Sequence, residues 1–283
     1  MTLAEALHAA QSGLRDAGID DAGLEAEVLL RHVVGLESAQ LYARLRDPLD
    51  DADLQAFQRL VERRMAHEPT AYIVGHREFY GLDLETTPDA LIPRPETELL
   101  VDEALRVAPP EPCIVADVGT GCGAIAVALA TGLPQATVYA IDASQRALAL
   151  AARNVQRLGL ADRVRILHGE LLDPLPEPVD VIVANLPYVK TSDWEALPPE
   201  IREHEPREAL DGGADGTALV EKLLRATPSH LRPGGRLLAE IGWDEGERLA
   251  AIARACFPAA RIAVEKDLAG LDRLLIVETE QHR

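Results

Sequence analysis

The stretch "ADVGTGCGAIAVALA", Ala116 to Ala130, decides the fold. It joins an apolar, β-prone run to a helical run through Gly119, Gly121 and Gly123. Glycine admits positive φ and close approach of the backbone to a ligand, and a helix opening after such a turn offers N–H groups there. The spacing satisfies G-x-G-x-G through Gly123 and G-x-G-x-x-[G/A] through Ala124. On its own it therefore fits more than one nucleoside cofactor. An acidic residue, Asp142, closes the next apolar run 23 positions after Gly119. Its two oxygens suit the two hydroxyls of a ribose, whichever nucleoside is bound. The competing role for Asp142, a helix cap, can fall to its neighbour Ser144.

Downstream of this turn, strand and helix patterns alternate. From Cys113 onward strands are expected at "CIVADV", "ATVYAID", "VRILHGE", "VDVIVAN", "RLLAEIG", "ARIAVEKD" and "DRLLIVET". Helical runs such as "QRALALAARNVQRLGL" and "ALVEKLLRATPSHL" separate most of them. The pattern predicts an α/β fold with a doubly wound, seven-stranded sheet and helices on both faces. Only "LAGL" joins the last two strands, which is too short for a crossover helix, so they should form a terminal antiparallel hairpin.

Upstream, "LAEALHAAQSGLRDAG", "GLEAEVLLRHVVGL", "SAQLYARL" and "DADLQAFQRLVERRMAHE" space apolar residues by three and four. They predict a small bundle of four or five helices, with Asp53 capping the last and Pro69 closing it. Between the two regions, "YIVGHREFYGLDLETTPDALIPRPETE" reads as a hairpin-like linker, with a new helix starting near Pro95. The expected division is a helical domain over 1–72, a linker over 73–98 and a cofactor domain over 99–283.

Composition narrows the partners. The net charge is -19, from 28 basic and 47 acidic residues, and the densest basic cluster, Arg59 to Arg64, contains Glu62. Binding to a nucleic-acid backbone needs clustered cations, so no direct nucleic-acid contact is expected. Three cysteines, odd in number and without a C-x-x-C pair, together with the lack of a cationic apolar leader, point to a reducing cytoplasm. The 24 residues between Asp117 and Asp142 carry no charge, yet glycines and Pro134 interrupt them. Their sustained apolar segment, "AIAVALA", falls short of the ~20 residues a membrane span needs. No histidine pattern matches a metal site, and no G-x-S-x-G elbow occurs.

Three features favour S-adenosylmethionine over NAD. The sheet ends in a hairpin instead of a second mononucleotide half. The third strand ends in "HGE", where Glu170 can accept from an adenine amino group and Leu171 can cover the ring. The fourth ends in Asn185-Leu186-Pro187-Tyr188, at the crevice position where open α/β sheets bind ligands. Such a tetrapeptide suits methylation of a planar nitrogen. That nitrogen is a poor nucleophile, and it reacts without a strong base if both N–H groups are accepted and the developing charge is favoured. Asn185 brings a side-chain carbonyl and Leu186 a main-chain one. Tyr188 offers a flat face. Pro187 biases Leu186 toward extended backbone, aiming its carbonyl into the crevice.

From about Pro69 to Val277 the chain resembles the HemK-type protein-(glutamine N5) methyltransferases that act on peptide chain release factors. The shared segments are "GHREFYG", "LIPRPETE", "DVGTGCGAIAVALA", "NLPYV", "EPREALDGGADG", "LRPGGRLLAEIG" and "KDLAGLDRLLIV". The resemblance implies a Rossmann-like methyltransferase sheet with an N-terminal helical bundle for substrate docking. It implies methyl transfer from S-adenosylmethionine to the glutamine of the Gly-Gly-Gln tip of a class 1 release factor. On this sequence, Gly119, Thr120, Gly121, Cys122 and Gly123 would hold the methionine moiety, Asp142 the ribose, and Glu170 and Leu171 the adenine. Asn185 would touch both donor and substrate, and Asn185, Leu186, Pro187 and Tyr188 would grip the glutamine amide. Arg94 and Glu96, in "IPRPETE", would border the substrate cleft. Leu186 stands where relatives carry proline. A monomer is expected. The alternatives are a ribosomal-protein glutamine or a nucleic-acid adenine as substrate, or a cofactor-binding scaffold without catalysis.

Overall fold

Thr2 opens the first helix, α1 (Leu3–Asp16), by reciprocal capping: its hydroxyl accepts from Glu5 N while the Glu5 carboxylate accepts from Thr2 N. In the computed structural model, which describes residues 1–110, 112–267 and 269–280, four more helices follow. They are α2 (Ala22–Val34), α3 (Ser38–Ala43), α4 (Asp51–Met65) and α5 (Thr70–Val74). Their apolar stripes, including Leu14, Leu30, Leu41 and Phe57, close on one core. Met1–His76 and Pro198–His204 form a compact unit.

Two details of α4 differ from the sequence reading. Asp50, not Asp53, is its cap: the extended residue is Asp50, whose carboxylate accepts from Asp53 N at 2.8 Å. Nor does Pro69 close the helix. It ends at Met65, His67 takes a positive φ, and Pro69 instead begins α5.

The second unit comprises Arg77–Leu197 and Glu205–Arg283. Strands β1 (His76–Phe79) and β2 (Leu82–Glu85) make a two-stranded sheet. A 3-10 turn over Pro95–Thr97 then leads into α6 (Glu98–Val107). The main body alternates β3 (Ile114–Val118), α7 (Ala124–Gly132), β4 (Thr137–Asp142), α8 (Gln145–Arg157), β5 (Val164–His168) and β6 (Val179–Asn185). It continues through α9 (Pro199–His204, within the first unit), α10 (Ala218–Ala226), β7 (Leu231–Glu240), α11 (Gly246–Cys256), β8 (Arg261–Lys266) and β9 (Asp272–Glu278).

The seven strands β3 to β9 lie in the order β5-β4-β3-β6-β7-β9-β8. All pair parallel except β9, which runs antiparallel to both neighbours. The expected doubly wound sheet and its antiparallel end are both present. Side chains alternate between two cores. Val115, Val181 and Val183 face α6, α7 and α8, whereas Ala116, Ile182 and Ala184 face α10 and α11. The chargeless stretch is accounted for by α7, whose residues Ala124 to Ala130 are all buried. Among the described residues no helix is long and apolar enough to cross a membrane.

The chain winds outward from β3 through β4 to β5, then crosses back to β6. A crevice therefore opens beyond the carboxyl ends of β3 and β6. The glycine turn follows β3 and Asn-Leu-Pro-Tyr follows β6, so the two motifs meet there.

Candidate active site

Gly119, Gly121 and Gly123 all take positive φ. Contrary to the expectation of free amides, the turn is bonded to itself and to its neighbours. Gly119 N and Thr120 N donate to the Ile141 carbonyl at 2.9 Å each, and Gly123 N donates to the Thr120 carbonyl at 2.8 Å. Gly121 N donates to Asp142 at 2.9 Å. One first-turn amide of α7 is also taken, because Asp117 Oδ2 accepts from Ala126 N at 3.0 Å and from the Thr120 hydroxyl at 2.6 Å. A buried carboxylate at that end of α7 disfavours an anionic group such as a pyrophosphate on the turn.

Asp117 is fully buried, and its Oδ1 has no hydrogen-bond partner among the described residues. Burial raises its pKa to about 7; Thr120 and Ala126 counter this in part, and the charge of Asp142 adds to it. As it ionises, this carboxylate behind the turn favours a cationic ligand over an anionic one. S-adenosylmethionine, with its sulfonium and ammonium groups, fits that electrostatic environment.

The cap of α8 falls to Ser144, which leaves Asp142 to the turn and the cavity. Its oxygens accept from Gly121 N and Ser144 N, while the Ser144 hydroxyl caps α8 by accepting from Ala147 N. Each carboxylate oxygen keeps a further lone pair, and Asp142 lines the cavity beside the turn together with Gly119 and Gly121. Glu170, Leu171, Asn185, Leu186 and Pro187 line the same cavity. Leu171 adopts φ 47°, a left-handed conformation unusual for its type. Glu170 is exposed and pairs loosely with Lys222 at 3.3 Å. Thr120 and Cys122 line the adjoining cleft with Arg94, Thr97 and Asn185. Gly123 is buried, and its α-carbon packs close to Ala151 of α8.

The Leu186 side chain adds something its main chain did not suggest. It is buried in the core against α10 and α11, and its Cδ2 would lie 2.8 Å from a Cβ placed on Gly119. Leucine here forms the floor between the two motifs, so Gly119 is required for the contact. After Pro187 the chain pairs with the "DGGADG" segment: Val189 N donates to the Leu210 carbonyl and Gly212 N to the Val189 carbonyl. A Cβ on Gly212 would sit 2.6 Å from the Pro187 carbonyl, hence the glycine.

Beneath the crevice lies a buried network that the motifs did not reveal. Asn185 Nδ2 donates to Thr97 Oγ1 at 2.9 Å, and Thr97 donates to Glu240 at 2.8 Å. The Tyr188 hydroxyl donates to the other Glu240 oxygen at 3.2 Å. Burial, the larger effect, raises the pKa of both Tyr188 and Glu240. Arg94 is held by the buried carboxylate of Glu205, which also accepts from Ile92 N at 3.1 Å. Glu96 is exposed and lies outside both cavities. Thr97, Glu205 and Glu240 carry no recognisable spacing signal. They emerge only when "IPRPETE", "EPRE" and "LLAEIG" are brought together.

The family model described as the PrmC N-terminal domain matches residues 5–75, and that of the methyltransferase small domain matches 96–198. A release factor glutamine methyltransferase of Geobacter sulfurreducens is 45% identical over 247 residues, covering 87% of this chain and 86% of the relative. One from Moorella thermoacetica is 44% identical over 278 residues, 98% of each chain. The chain belongs to the release factor glutamine methyltransferase family. A methyltransferase structure from Pyrococcus furiosus, 20% identical, superposes with a TM-score of 0.55 over 71% of this chain and 91% of its own, and so shares the fold of this family's catalytic unit.

Proposed function

We propose that this chain methylates the side-chain amide nitrogen of the glutamine in the Gly-Gly-Gln motif of class 1 release factors, using S-adenosylmethionine. The observation that carries the reading is the Asn185 amide. Its nitrogen is committed to Thr97, which leaves Oδ1 as an acceptor on the cavity wall. Gly119, Gly121, Asp142, Glu170 and Leu171 would hold the donor, with Thr120, Cys122 and Gly123 shaping the turn. When bound, the donor supplies an electrophilic methyl group on sulfur.

The remaining chemistry belongs to the chain's own residues. Asn185 Oδ1 accepts one substrate N–H and the Leu186 carbonyl the other, so the nitrogen's partial positive charge is favoured as transfer proceeds. Tyr188 backs the amide plane, and Pro187 holds the carbonyl in place. No general base is invoked, because a methylated amide sheds its extra proton to water readily. Arg94 and Glu96 border the path of the substrate loop, and the helical region 1–72 receives the body of the release factor. A monomer acting in the cytoplasm, without direct nucleic-acid contact, accords with the acidic charge and the cysteine pattern.

Incubating an intact release factor with the enzyme and donor should add one methyl group to the Gly-Gly-Gln peptide, read by mass spectrometry. Absence of transfer to any folded release factor would sink the proposal. Asn185→Ala should lower kcat on the order of 10²–10³-fold, the effect of losing a preorganised charge-stabilising group. A loss below about threefold would remove Asn185 from that role.

A further inference from the structure

We propose that Thr97 and Glu240 are positioning residues: they fix which way the Asn185 amide faces, holding its Oδ1 toward the cleft. This rests on the reading of Asn185 as the acceptor of the substrate amide. The polarity of the chain of hydrogen bonds follows from proton counting. Ionised Glu240, 1% exposed, can only accept, and its two oxygens take the Thr97 and Tyr188 hydroxyl protons. Thr97, itself buried, has then spent its single proton. Its oxygen can only accept from Asn185, so the amide must turn Nδ2 toward it. An inverted amide would set two acceptors against each other in a buried site. Burial raises the pKa of Glu240; the Thr97 and Tyr188 hydroxyls and then Arg273 oppose it by favouring the carboxylate, and Glu96 adds to it weakly.

The same carboxylate thus holds both polar residues of Asn-Leu-Pro-Tyr, Asn185 through Thr97 and Tyr188 by its hydroxyl. Thr97 comes from the turn before α6 and Glu240 from the end of β7. The register pairs Asn185 with Glu240 across adjacent parallel strands, so the sheet itself sets their spacing.

The chain contains only two asparagines, Asn154 and Asn185. Side-chain labelling of asparagine with nitrogen-15 therefore yields two amide signals. Asn154 is an internal control, since it is bound at both ends within the second unit: its Nδ2 donates to the Glu85 and Cys122 carbonyls, and its Oδ1 accepts from Glu85 N. In the wild type one Asn185 amide proton should exchange slowly with solvent. Thr97→Val should abolish that protection, leave the Asn154 signal unchanged, and lower kcat on the order of 10- to 100-fold through misplacement of the acceptor. Thr97→Ser, which restores the hydroxyl, should recover both. Glu240→Gln, nearly isosteric but able to donate, should reproduce the valine phenotype in part, and it serves if the valine variant loses the Asn154 signal through misfolding.

Unchanged Asn185 protection in Thr97→Val, or kcat within about threefold of wild type despite its loss, overturns the relay. The spectrum needs no methyl acceptor. A wild-type enzyme that fails to methylate release factors therefore overturns the proposed function, while the relay is decided independently by Asn185 exchange.

Discussion

Asp117 sits fully buried at the head of α7 with one oxygen unpaired, and its folded pKa of about 7 lies above the ordinary carboxylate value. The sign of its contribution follows. The folded state holds the proton more tightly, so the stabilisation is complete below about pH 4 and is lost as pH rises toward about 7. Urea midpoints should show the ligand-free wild type losing stability relative to Asp117→Asn across that window; a parallel pH course for the two proteins would refute the assignment. A cationic donor should narrow the difference. At this scale the sequence was readable only where chemistry is local. Asn185 and Tyr188 stand in one tetrapeptide whose residue types already suggest amide recognition. Thr97 and Glu240 are 143 positions apart, and Ile92 and Glu205 are 113 apart. No periodicity encodes pairs so distant, and a threonine or glutamate taken singly reads as a surface residue. The same holds for Asp117, whose role depends on burial that only the folded chain supplies.

The glycine turn and the strand end after β6 are built as one element, because Leu186 lies against the face of Gly119. Gly119→Ala would meet Leu186 Cδ2 at 2.8 Å and would also strain a residue held at φ +76°. A loss of about 1–3 kcal/mol of stability is expected, with donor affinity falling in parallel, measured by denaturant unfolding and calorimetry. A neutral substitution would mean that the two motifs are not coupled. Elements of this size were largely legible: all seven main-sheet strands fall on the apolar runs that announced them. Their ends were less so. The Arg232-Pro233-Gly234-Gly235 segment has the composition of a turn, yet it lies inside β7 because Leu231 already pairs with Val179 ahead of a register shift. The start of α4, where Asp53 is expected as the cap and Asp50 is found, is a second such end. Several acidic residues cluster there, and only backbone dihedrals tell which one precedes the helix.

For the molecule as a whole, the first unit depends on residues from late in the chain. Arg64 is buried in it, donating to Glu200 at 2.5 Å and lying 3.4 Å from Glu25. Loss of a buried partner can cost about 3–5 kcal/mol, but Glu25 and Glu200 are partly exposed and water can resolvate them. Arg64→Met should therefore lower stability by about 1–2 kcal/mol, visible as a reduced melting temperature. An unchanged melt would show the pair to be energetically idle. The unit's two pieces, Met1–His76 and Pro198–His204, also leave the ribosome at different times. At ordinary synthesis rates Glu200 emerges roughly 6–25 s after the last residue of α5. For that interval the nascent bundle lacks a clasp, and Arg64 has Glu25 as its one carboxylate, beside the Glu68 carbonyl. The helical unit is thus an early starter that finishes late, and a fragment ending at His76 should be more open to proteases than the same helices in the complete protein.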